Sequence, residues 1–494
     1  YYLAEALADN ILGKLAEDEG QEAYEVLETF VGTDLEKREY EPLFDFANEI
    51  VEKQHKKGWY ITCDNYVTMT DGTGIVHIAP AFGEDDANVG RKYDLPFVQL
   101  VDGKGQMTPE CGEIAGLFVK DADKPILVDL EKRGLLVDAP KFEHDYPFCW
   151  RCDTPLIYYA RESWFIKMTE VKDDLIKNNN TVNWIPESIG KGRFGDWLEN
   201  IQDWGVSRNR YWGTPLNIWE CEDCGEMLSV GSREELAKLS GREDADKIEL
   251  HRPYIDEVTI PCPHCGKTMR RVPEVIDCWF DSGAMPFAQH HYPFENKELF
   301  EQRFPAKFIS EAVDQTRGWF YSLMAESTLL FNKAPYENVI VLGHVQDENG
   351  QKMSKSKGNA VDPFEALEEY GADAIRWYFY TSSAPWLPKR FSGKAVQEGQ
   401  RKFMGTLWNT YAFFVLYANI DNFDAAKYTL EYDKLPVMDR WLLSRLNSLI
   451  LTVDNYLDTY QIPEAGKALQ TFIDELSNWY VRRGRERFWK QSND

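Results

Sequence analysis

The sequence predicts an α/β protein built from several domains. Residues 306–345 alternate a short strand, a helical pattern and a buried apolar strand, an order typical of a parallel-sheet unit. A cysteine-bearing segment occupies residues 216–275, and apolar residues recur at helical spacing from residue 433 onward. At 494 residues the chain also exceeds the size that one hydrophobic core usually serves.

Composition and charge restrict the class of protein. Hydrophobic residues make up 43% and charged residues 28%, as in a folded globular chain rather than a disordered or fibrous one. The apolar runs at 339–342 and 413–416 are too short to span a bilayer, so we expect no membrane partner. No basic-then-apolar leader opens the sequence, and the first residue is Tyr, so we expect a cytoplasmic protein and a fragment.

The net charge of −27 argues against non-specific coating of nucleic acid. A negative total does not exclude local basic surfaces that bind nucleic acid. For each basic cluster, the alternative interpretation is a solvated face without a ligand. The candidates are the lysines of 352–357, Lys389 with Arg390, and the arginines of 482–487.

The amino-terminal third mixes patterns. Residues 3–30 predict a helix with Leu3, Leu7, Ile11, Leu12 and Leu15 on one face. Residues 59–80 predict strands broken by turns, notably at 71–74. Residues 81–145 are turn-rich, and residues 150–215 carry many aromatic side chains.

A lysine-rich loop is the most informative segment. After the apolar strand, Asn349-Gly350 predicts a hairpin turn, and Lys352, Lys355 and Lys357 then alternate with hydroxyl residues. A helix follows, with Asp362 as N-cap, Pro363 and Glu365 in its first turn and Gly371 at its end. Ligands of α/β sheets bind at this edge, and lysines there stabilise charge on a polyphosphate. Walker-A spacing is absent, which disfavours an ordinary NTPase; a solvated lysine loop is the alternative.

Nine cysteines include three Cys-x-x-Cys pairs, which indicate a reducing compartment and metal binding rather than disulfides. Two pairs supply four thiolates for a tetrahedral zinc ion, and four cysteines leave no open position for catalysis, so the role is structural. Gly225 and Gly266 suit the turn after each pair. The predicted ligands are Cys221, Cys224, Cys262 and Cys265.

Several longer motifs carry a family resemblance. Lys352-Met353-Ser354-Lys355-Ser356 resembles the signature loop of class I aminoacyl-tRNA synthetases. The remaining motifs narrow the resemblance to the isoleucyl-tRNA synthetase family, in the same order along nearly all of the chain. They lie at residues 72–86, 203–213, 277–283, 314–320 and 477–483.

The resemblance implies roles for individual residues. Lys355 contacts ATP and Lys352 assists at the phosphates. Glu311 contacts the aminoacyl-adenylate, Gln315 holds the ammonium group of the amino acid, and Gly343 and His344 belong to the same nucleotide-binding segment. Trp279 and Trp319 match the aromatic walls of the isoleucine pocket, although core packing is the alternative for each. Ala312 stands where the family pattern has glycine, so the sequence departs from the family beside Glu311.

The resemblance also implies hydrolytic editing of mischarged valine. One methylene separates isoleucine from valine, a difference known in this family to allow only ~1–3 kcal/mol of discrimination by binding. Asp86 then holds the α-amino group of the misattached amino acid and His77 lines the pocket. Without the resemblance, the residues around His77 are more typical of a structural histidine, and residues 84–86 are more typical of a solvated turn.

The resemblance predicts six regions and a set of ligands. The regions are a partial, β-rich editing domain (1–148), a return to the catalytic domain (149–215), a zinc insertion (216–275), the second half of the Rossmann-type catalytic domain (276–345), the signature loop and stem-contact region (346–430) and the start of a helical anticodon-binding domain (431–494). It implies ATP, Zn²⁺ and Mg²⁺, isoleucine and its tRNA, and a monomer.

Two further expectations concern missing parts. Cys149 and Cys152 form a metal half-site, because the family places their partners elsewhere. The His-x-Gly-His motif of the family is not in the sequence, so we expect the chain alone to be inactive. The alternatives are a valyl- or leucyl-specific relative and a zinc-ribbon tRNA-binding fragment that acts with a partner chain.

Overall fold

The computed structural model describes all residues except 14, 17–19, 21–23, 71, 142–143, 150–151, 245–246, 355–357 and 490–494. The chain divides into two compact units, Tyr1–Glu162 and Ser163–Asp494. Within the described ranges, no helix is both long and apolar enough to cross a membrane.

The first unit holds three α-helices of seven residues or more among its described residues. These are α1 (Asn48–Gln54), α2 (Glu84–Lys92) and α3 (Val119–Lys132). Shorter 3-10 or π turns lie at Glu5–Leu7, Asp9–Gly13, Gly32–Leu35 and Pro109–Ile114. Cys111, Ile114 and Ala122 form a small buried core.

The helix expected over residues 3–30 is confirmed only near its start. The described residues between 5 and 16 are helical, including the turns at Glu5–Leu7 and Asp9–Gly13, whereas residues 24–31 have no regular structure. Helices in proteins draw most of their stability from packing an apolar face. Leu7 and Ala16 are buried in the helical part, whereas Val26 and Leu27 are 65% and 88% exposed and give residues 24–31 no such face.

The strands expected over residues 59–80, and the β-rich character expected for residues 1–148, are also not formed in the described part of this unit. The described residues make only isolated bridges, such as Glu39 with Tyr60. Side chains satisfy backbone groups that a ladder would use: the Ala79 amide donates to Asp86, and the Cys63 amide donates to the Tyr93 hydroxyl.

The second unit is built around a three-stranded parallel sheet. Its strands β2 (Asn183–Ile185), β10 (Ile309–Ala312) and β11 (Asn338–Leu342) lie in the order β10-β11-β2. The buried helix Trp319–Phe331 connects the two later strands and packs into the main core with Trp184, Phe320 and Tyr336. The strand–helix–strand prediction is therefore confirmed.

Short strands complete the second unit. They are β1 (Phe165–Ile166), β3 (Trp204–Gly205), β4 (Ser207–Arg208), β5 (Ile218–Glu220), β6 (Met227–Ser229), β7 (Ile260–Pro261), β8 (Thr268–Arg271), β9 (Val275–Ile276), β12 (Val345–Gln346) and β13 (Lys389–Arg390). Strands β6-β5-β8-β7 form an antiparallel sheet in the cysteine-bearing segment, and β12 pairs in parallel with β13.

The helices of the second unit follow α3 along the chain. They are α4 (Lys172–Asn179), α5 (Glu187–Ile189), α6 (Gly195–Glu199), α7 (Arg233–Ser240), α8 (Cys278–Gly283), α9 (Met285–Ala288), α10 (Lys297–Arg303), α11 (Trp319–Phe331), α12 (Pro363–Tyr370), α13 (Ala372–Thr381), α14 (Gly393–Gly399), α15 (Thr406–Ile420), α16 (Val437–Asp458), α17 (Ile462–Asp474) and α18 (Arg482–Trp489). The helical tail predicted from residue 433 is confirmed.

Helix α12 begins and ends where the sequence predicts. The Asp362 carboxylate accepts from the amides of Phe364 (2.8 Å) and Glu365 (3.4 Å), which satisfies donors at the helix start. Gly371 has φ +80° just past the helix end.

Candidate functional site

Side chains of the candidate nucleotide site gather at the carboxyl edge of the parallel sheet. Glu311 is the third residue of β10, and Gly343 and His344 follow β11 directly. The His344 Nε2 atom lies 4.0 Å from Asp314 Oδ1, which joins the two strand ends. The structure thus brings Glu311, Gln315 and His344 to one edge, where ligands of open α/β sheets bind.

Gln315 is tied into the start of α11. Its Oε1 accepts from the Trp319 amide (2.9 Å), and its Nε2 donates to Asp314 (3.1 Å). A methyl group on Gly318 would lie 2.7 Å from Gln315 Oε1 and 3.1 Å from the Trp279 ring. Glycine at position 318 therefore leaves room for both this glutamine and this indole. The sequence analysis gave Gly318 no role.

The two tryptophans stand on neighbouring helices. Trp319 Nε1 donates to the Ser282 carbonyl (3.1 Å), so its indole is fastened to α8. The Trp279 amide donates to the Asp277 carboxylate that begins α8. Trp279 is 39% exposed, which leaves part of its ring available to a ligand.

Asp277 fixes the direction of α8. Asp277 is 4% exposed, and its carboxylate accepts a hydrogen bond from Arg208 Nη2 at 2.6 Å. Arg208 and Asp277 belong to two of the sequence motifs, yet neither received a role. Asp277 is the N-cap residue of α8, and its burial is a signal that motif spacing alone does not give.

Gly343 permits a close backbone crossing. Its amide donates to the Pro385 carbonyl (2.8 Å), and a Cβ there would lie 2.2 Å from the Leu387 carbonyl oxygen. The strand end is therefore held against the segment that leads into β13.

The hairpin at Asn349-Gly350 is confirmed. Gly350 has φ +79°, its amide donates to the Asp347 carbonyl, and Gln346 bridges Lys352 across the turn. Lys352 is exposed at the start of the lysine loop. Lys355, with Lys357, lies outside the described residues.

The four cysteines predicted to bind zinc are brought together. Their Sγ atoms all lie within 4.8 Å of one another, with Cys221–Cys265 at 3.5 Å and Cys224–Cys262 at 3.7 Å. A tetrahedral ion with Zn–S bonds of about 2.3 Å separates its sulfurs by about 3.8 Å. The donor set therefore fits a structural zinc ion.

Each cysteine pair sits in the same backbone turn. The Gly225 amide donates to the Cys221 carbonyl (2.8 Å), and the Gly266 amide donates to the Cys262 carbonyl (2.9 Å). Both glycines have positive φ, +72° and +75°, as expected for this turn.

The Cys149 pair repeats this turn with Asp153 in place of the glycine. The Asp153 amide donates to the Cys149 carbonyl (2.8 Å), and Asp153 has φ +54°. A hydrogen bond with the Thr154 hydroxyl lowers the pKa of the Cys152 thiol. Among the residues with assigned positions, only the other four cysteines form a group of metal-ligand size.

Asp86 is held in place within the first unit. It accepts from the Tyr66 hydroxyl (3.0 Å) and the Ala79 amide (3.0 Å). Burial, followed by the hydrogen bond to Asp86, raises the pKa of Tyr66 to about 12, so the phenol remains a donor. His77 is exposed, and Tyr66 is a neighbour that the sequence analysis did not identify.

Comparison with known proteins defines the class. Residues 19–386 match the family model described as tRNA synthetases class I (I, L, M and V), and residues 439–494 match the anticodon-binding domain of tRNA ligase. The chain belongs to the class I tRNA synthetases of this group, which confirms the predicted fold class.

Individual relatives are more specific. The chain is 59% identical to isoleucine–tRNA ligase of Clostridium novyi over 99% of its length, and 59% identical to that of Clostridium acetobutylicum over 95%. It spans 45% and 44% of those proteins. A solved structure of Mycobacterium tuberculosis methionyl-tRNA synthetase in complex with methionyl-adenylate is 15% identical, with TM-score 0.49 over 83% of this chain and 73% of that one.

Proposed function

We propose that the chain forms the ATP-binding and amino-acid-lining part of an enzyme that attaches isoleucine to its tRNA. The observation that carries the proposal is the gathering of Glu311, Gln315 and His344 at one sheet edge, in a chain 59% identical to proteins named isoleucine–tRNA ligase. In the proposed reaction the isoleucine carboxylate attacks the α-phosphate of ATP and pyrophosphate leaves. A ribose hydroxyl of tRNA then attacks the adenylate carbonyl, and AMP leaves.

Each side chain has a proposed task. Lys352 and Lys355 stabilise the charge that builds on the departing pyrophosphate, with Mg²⁺ as the expected counter-ion. Glu311 contacts the adenylate, and Gln315 holds the ammonium group of isoleucine. Trp279 and Trp319 line the aliphatic side chain, a role supported by the partial exposure of Trp279.

The cysteine cluster is proposed as a structural zinc site of Cys221, Cys224, Cys262 and Cys265. Four thiolates fill a tetrahedral ion, so zinc supplies folding energy here rather than an open catalytic position. Cys149 and Cys152 are proposed as a half-site, supported by the backbone turn they share with the other pairs.

Editing of mischarged valine is proposed for the first unit. Asp86 holds the α-amino group, and His77 lines the pocket. The Tyr66 and Ala79 hydrogen bonds support this role, because they fix the direction of the Asp86 carboxylate.

The remaining proposals concern the whole protein. Its partner is the tRNA for isoleucine, it acts as a cytoplasmic monomer, and the six regions given above are its domains. Because the chain spans less than half of its curated relatives, we propose that it does not activate isoleucine by itself.

ATP–pyrophosphate exchange tests the proposal. A full-length enzyme carrying this chain is expected to exchange with isoleucine, and Lys355→Ala is expected to lower the rate by ~100-fold or more. An undiminished rate in this variant, or faster exchange with valine or leucine, contradicts the proposal. Robust exchange by the 494-residue chain alone contradicts its proposed inactivity.

The alternative is a zinc-ribbon module that binds tRNA beside a partner chain, which the compact cysteine cluster favours. Titration of the chain with tRNA at several salt concentrations separates the two. Salt-dependent tRNA binding without amino-acid activation in any full-length form supports the alternative.

A further inference from the structure

Asp347 and Asn359 meet across the neck of the lysine loop. Asn359 Nδ2 donates to Asp347 Oδ2 at 2.9 Å. Asp347 Oδ1 accepts from the amides of Asn349 (3.0 Å) and Gln351 (2.8 Å). These hydrogen bonds, that of Asn359 first, lower the pKa of the Asp347 carboxyl, so it is an ionised acceptor.

Asn359 also binds the first residues of the loop. Its Oδ1 accepts from the Ser354 amide (2.9 Å), and its Nδ2 reaches the Lys352 carbonyl (3.2 Å). One amide side chain therefore joins both ends of residues 352–359.

The base of the loop is fixed by packing. Met353 packs against a buried cluster that includes Ala366 and Phe391. The Phe391 amide donates to the Gln346 carbonyl (2.8 Å), which ties the hairpin to β13. The loop neck therefore stands on a rigid support.

We propose that Asp347 and Asn359 are positioning residues for amino-acid activation. Their hydrogen-bonded pair, the loop clasp, closes the neck and holds Lys352 where the triphosphate binds. The inference rests on the proposed function and adds two residues to which neither the motif resemblance nor the family match gave a role.

The physical reason is entropic. A backbone without such hydrogen bonds at Lys352 would have to lose conformational freedom when the Lys352 ammonium group meets the phosphates. The clasp orders this backbone during folding, so more of the binding energy remains for the transition state. The clasp residues act through Lys352 and the loop backbone, without touching the nucleotide.

A swap of the two side chains tests the pair. Asp347→Asn places an amide donor against the Asn359 donor, and Asn359→Asp places two carboxylates together. The double variant Asp347→Asn/Asn359→Asp restores a donor opposite an acceptor between the two side chains, while the hydrogen bond to the Lys352 carbonyl stays lost. Glu348→Gln, which removes the neighbouring exposed charge, is the matched control.

The readout is ATP–pyrophosphate exchange in the full-length enzyme carrying this chain. Each single variant is expected to lower kcat by about tenfold with KM for isoleucine unchanged, since each loses a hydrogen bond to a charged group. The double variant is expected to return to within about threefold of the unsubstituted enzyme. Single variants that match the control, or a double variant no better than the product of the singles, overturn the proposal.

Hydrogen exchange of the 494-residue chain supplies a second readout. The amides of Gln351 and Ser354 are expected to exchange faster in both single variants and to recover in the double variant. Faster amide exchange with unchanged catalysis assigns the pair a purely structural role and overturns the proposal. No isoleucine-dependent exchange in the unsubstituted enzyme overturns the proposed function instead, and the amide result distinguishes the two failures.

Discussion

Glu326 is a carboxylic acid enclosed by the core of the second unit. It is 2% exposed, and neither carboxylate oxygen has a hydrogen-bond partner among the residues that the structure describes. Its Oε1 lies 2.2 Å from the position a Cβ of Gly283 would occupy, so glycine at 283 makes room for it. Burial, with a smaller effect of Asp281, raises the pKa of Glu326 to about 9. The acid is therefore protonated at neutral pH.

Glu326→Leu is expected to stabilise the protein, increasingly so at higher pH. Glutamate in the unfolded chain ionises near pH ~4.3, whereas the folded group does so at about 9. Burial of Glu326 thus brings no ionisation penalty below pH ~4, and this one group lowers the stability by ~1.4 kcal/mol per pH unit between the two values. Urea unfolding at pH 6, 7 and 8 measures the difference.

The control is Glu298→Leu on the exposed side of α10, which is expected to show no such pH trend. Parallel stability curves for Glu326→Leu and the unsubstituted chain would contradict the raised pKa.

At the scale of elements, the helical tail is held by a charged network between its first and last helices. Asp439, in the first turn of α16, accepts from Arg487 Nη1 (2.7 Å) and Nη2 (2.9 Å) on α18. Tyr480 donates a third hydrogen bond to it (2.8 Å). The Arg487 hydrogen bonds, and then that of Tyr480, lower the pKa of the Asp439 carboxyl. The network joins elements about forty residues apart.

Asp439→Asn is expected to lower the free energy of unfolding by about 1–2 kcal/mol at pH 7, because Arg487 is partly exposed. A lowered pKa contributes stability above the unfolded value and loses it as pH falls through the folded one. The difference from the unsubstituted chain should therefore shrink on acidification below pH ~4. Thermal melts from pH 7 to pH 3 measure it.

Asp454→Asn, an exposed change on the same helix, is the control. An Asp439→Asn difference that stays constant down to pH 3 would show that the loss does not come from ionised Asp439.

At the scale of the whole molecule, two of the clustered cysteines, Cys221 and Cys262, belong to the buried core of their own region. Its sheet packs around Trp219, Val258 and Met269, and the four thiols lie at one end of β5 and β8. A metal that binds only the folded thiols adds its binding energy to folding.

We expect one zinc ion per chain, with Cys224→Ser abolishing it and lowering the melting temperature by several degrees. Elemental analysis after dialysis measures the zinc, and a melt with and without chelator measures its effect on stability. Cys63→Ser, outside the cluster, is the control. A full zinc content in Cys224→Ser would remove that thiol from the ligand set.

Sequence patterns predicted the strand–helix–strand unit, the capped helix α12, the hairpin at Gly350 and the helical tail. Each depends on local signals, such as an apolar run, a cap residue or a turn dipeptide, which act over a few residues. The cysteine spacing likewise predicted a cluster that the fold assembles.

The first unit marks the limit of such signals. The periodicity of Leu3 to Leu15 is helical, and the described residues between 5 and 16 form helical turns that bury Leu7 and Ala16. The helix does not extend to residues 24–31, where no comparable apolar face is buried. Leu27 is exposed, so the lack of packing limits the predicted helix. The Ala79 amide donates to the Asp86 side chain, so a side chain competes with the predicted strand pairing.

The sequence by itself determined the class of protein, the position of the lysine loop and the four cysteines that form the cluster, because motif order and spacing are properties of the chain. Only the tertiary structure decided that Asp347 reaches Asn359, that Gly318 leaves room for Gln315 and Trp279, and that Glu326 is buried. Those facts depend on distances between residues remote in sequence, which folding sets and local patterns do not encode.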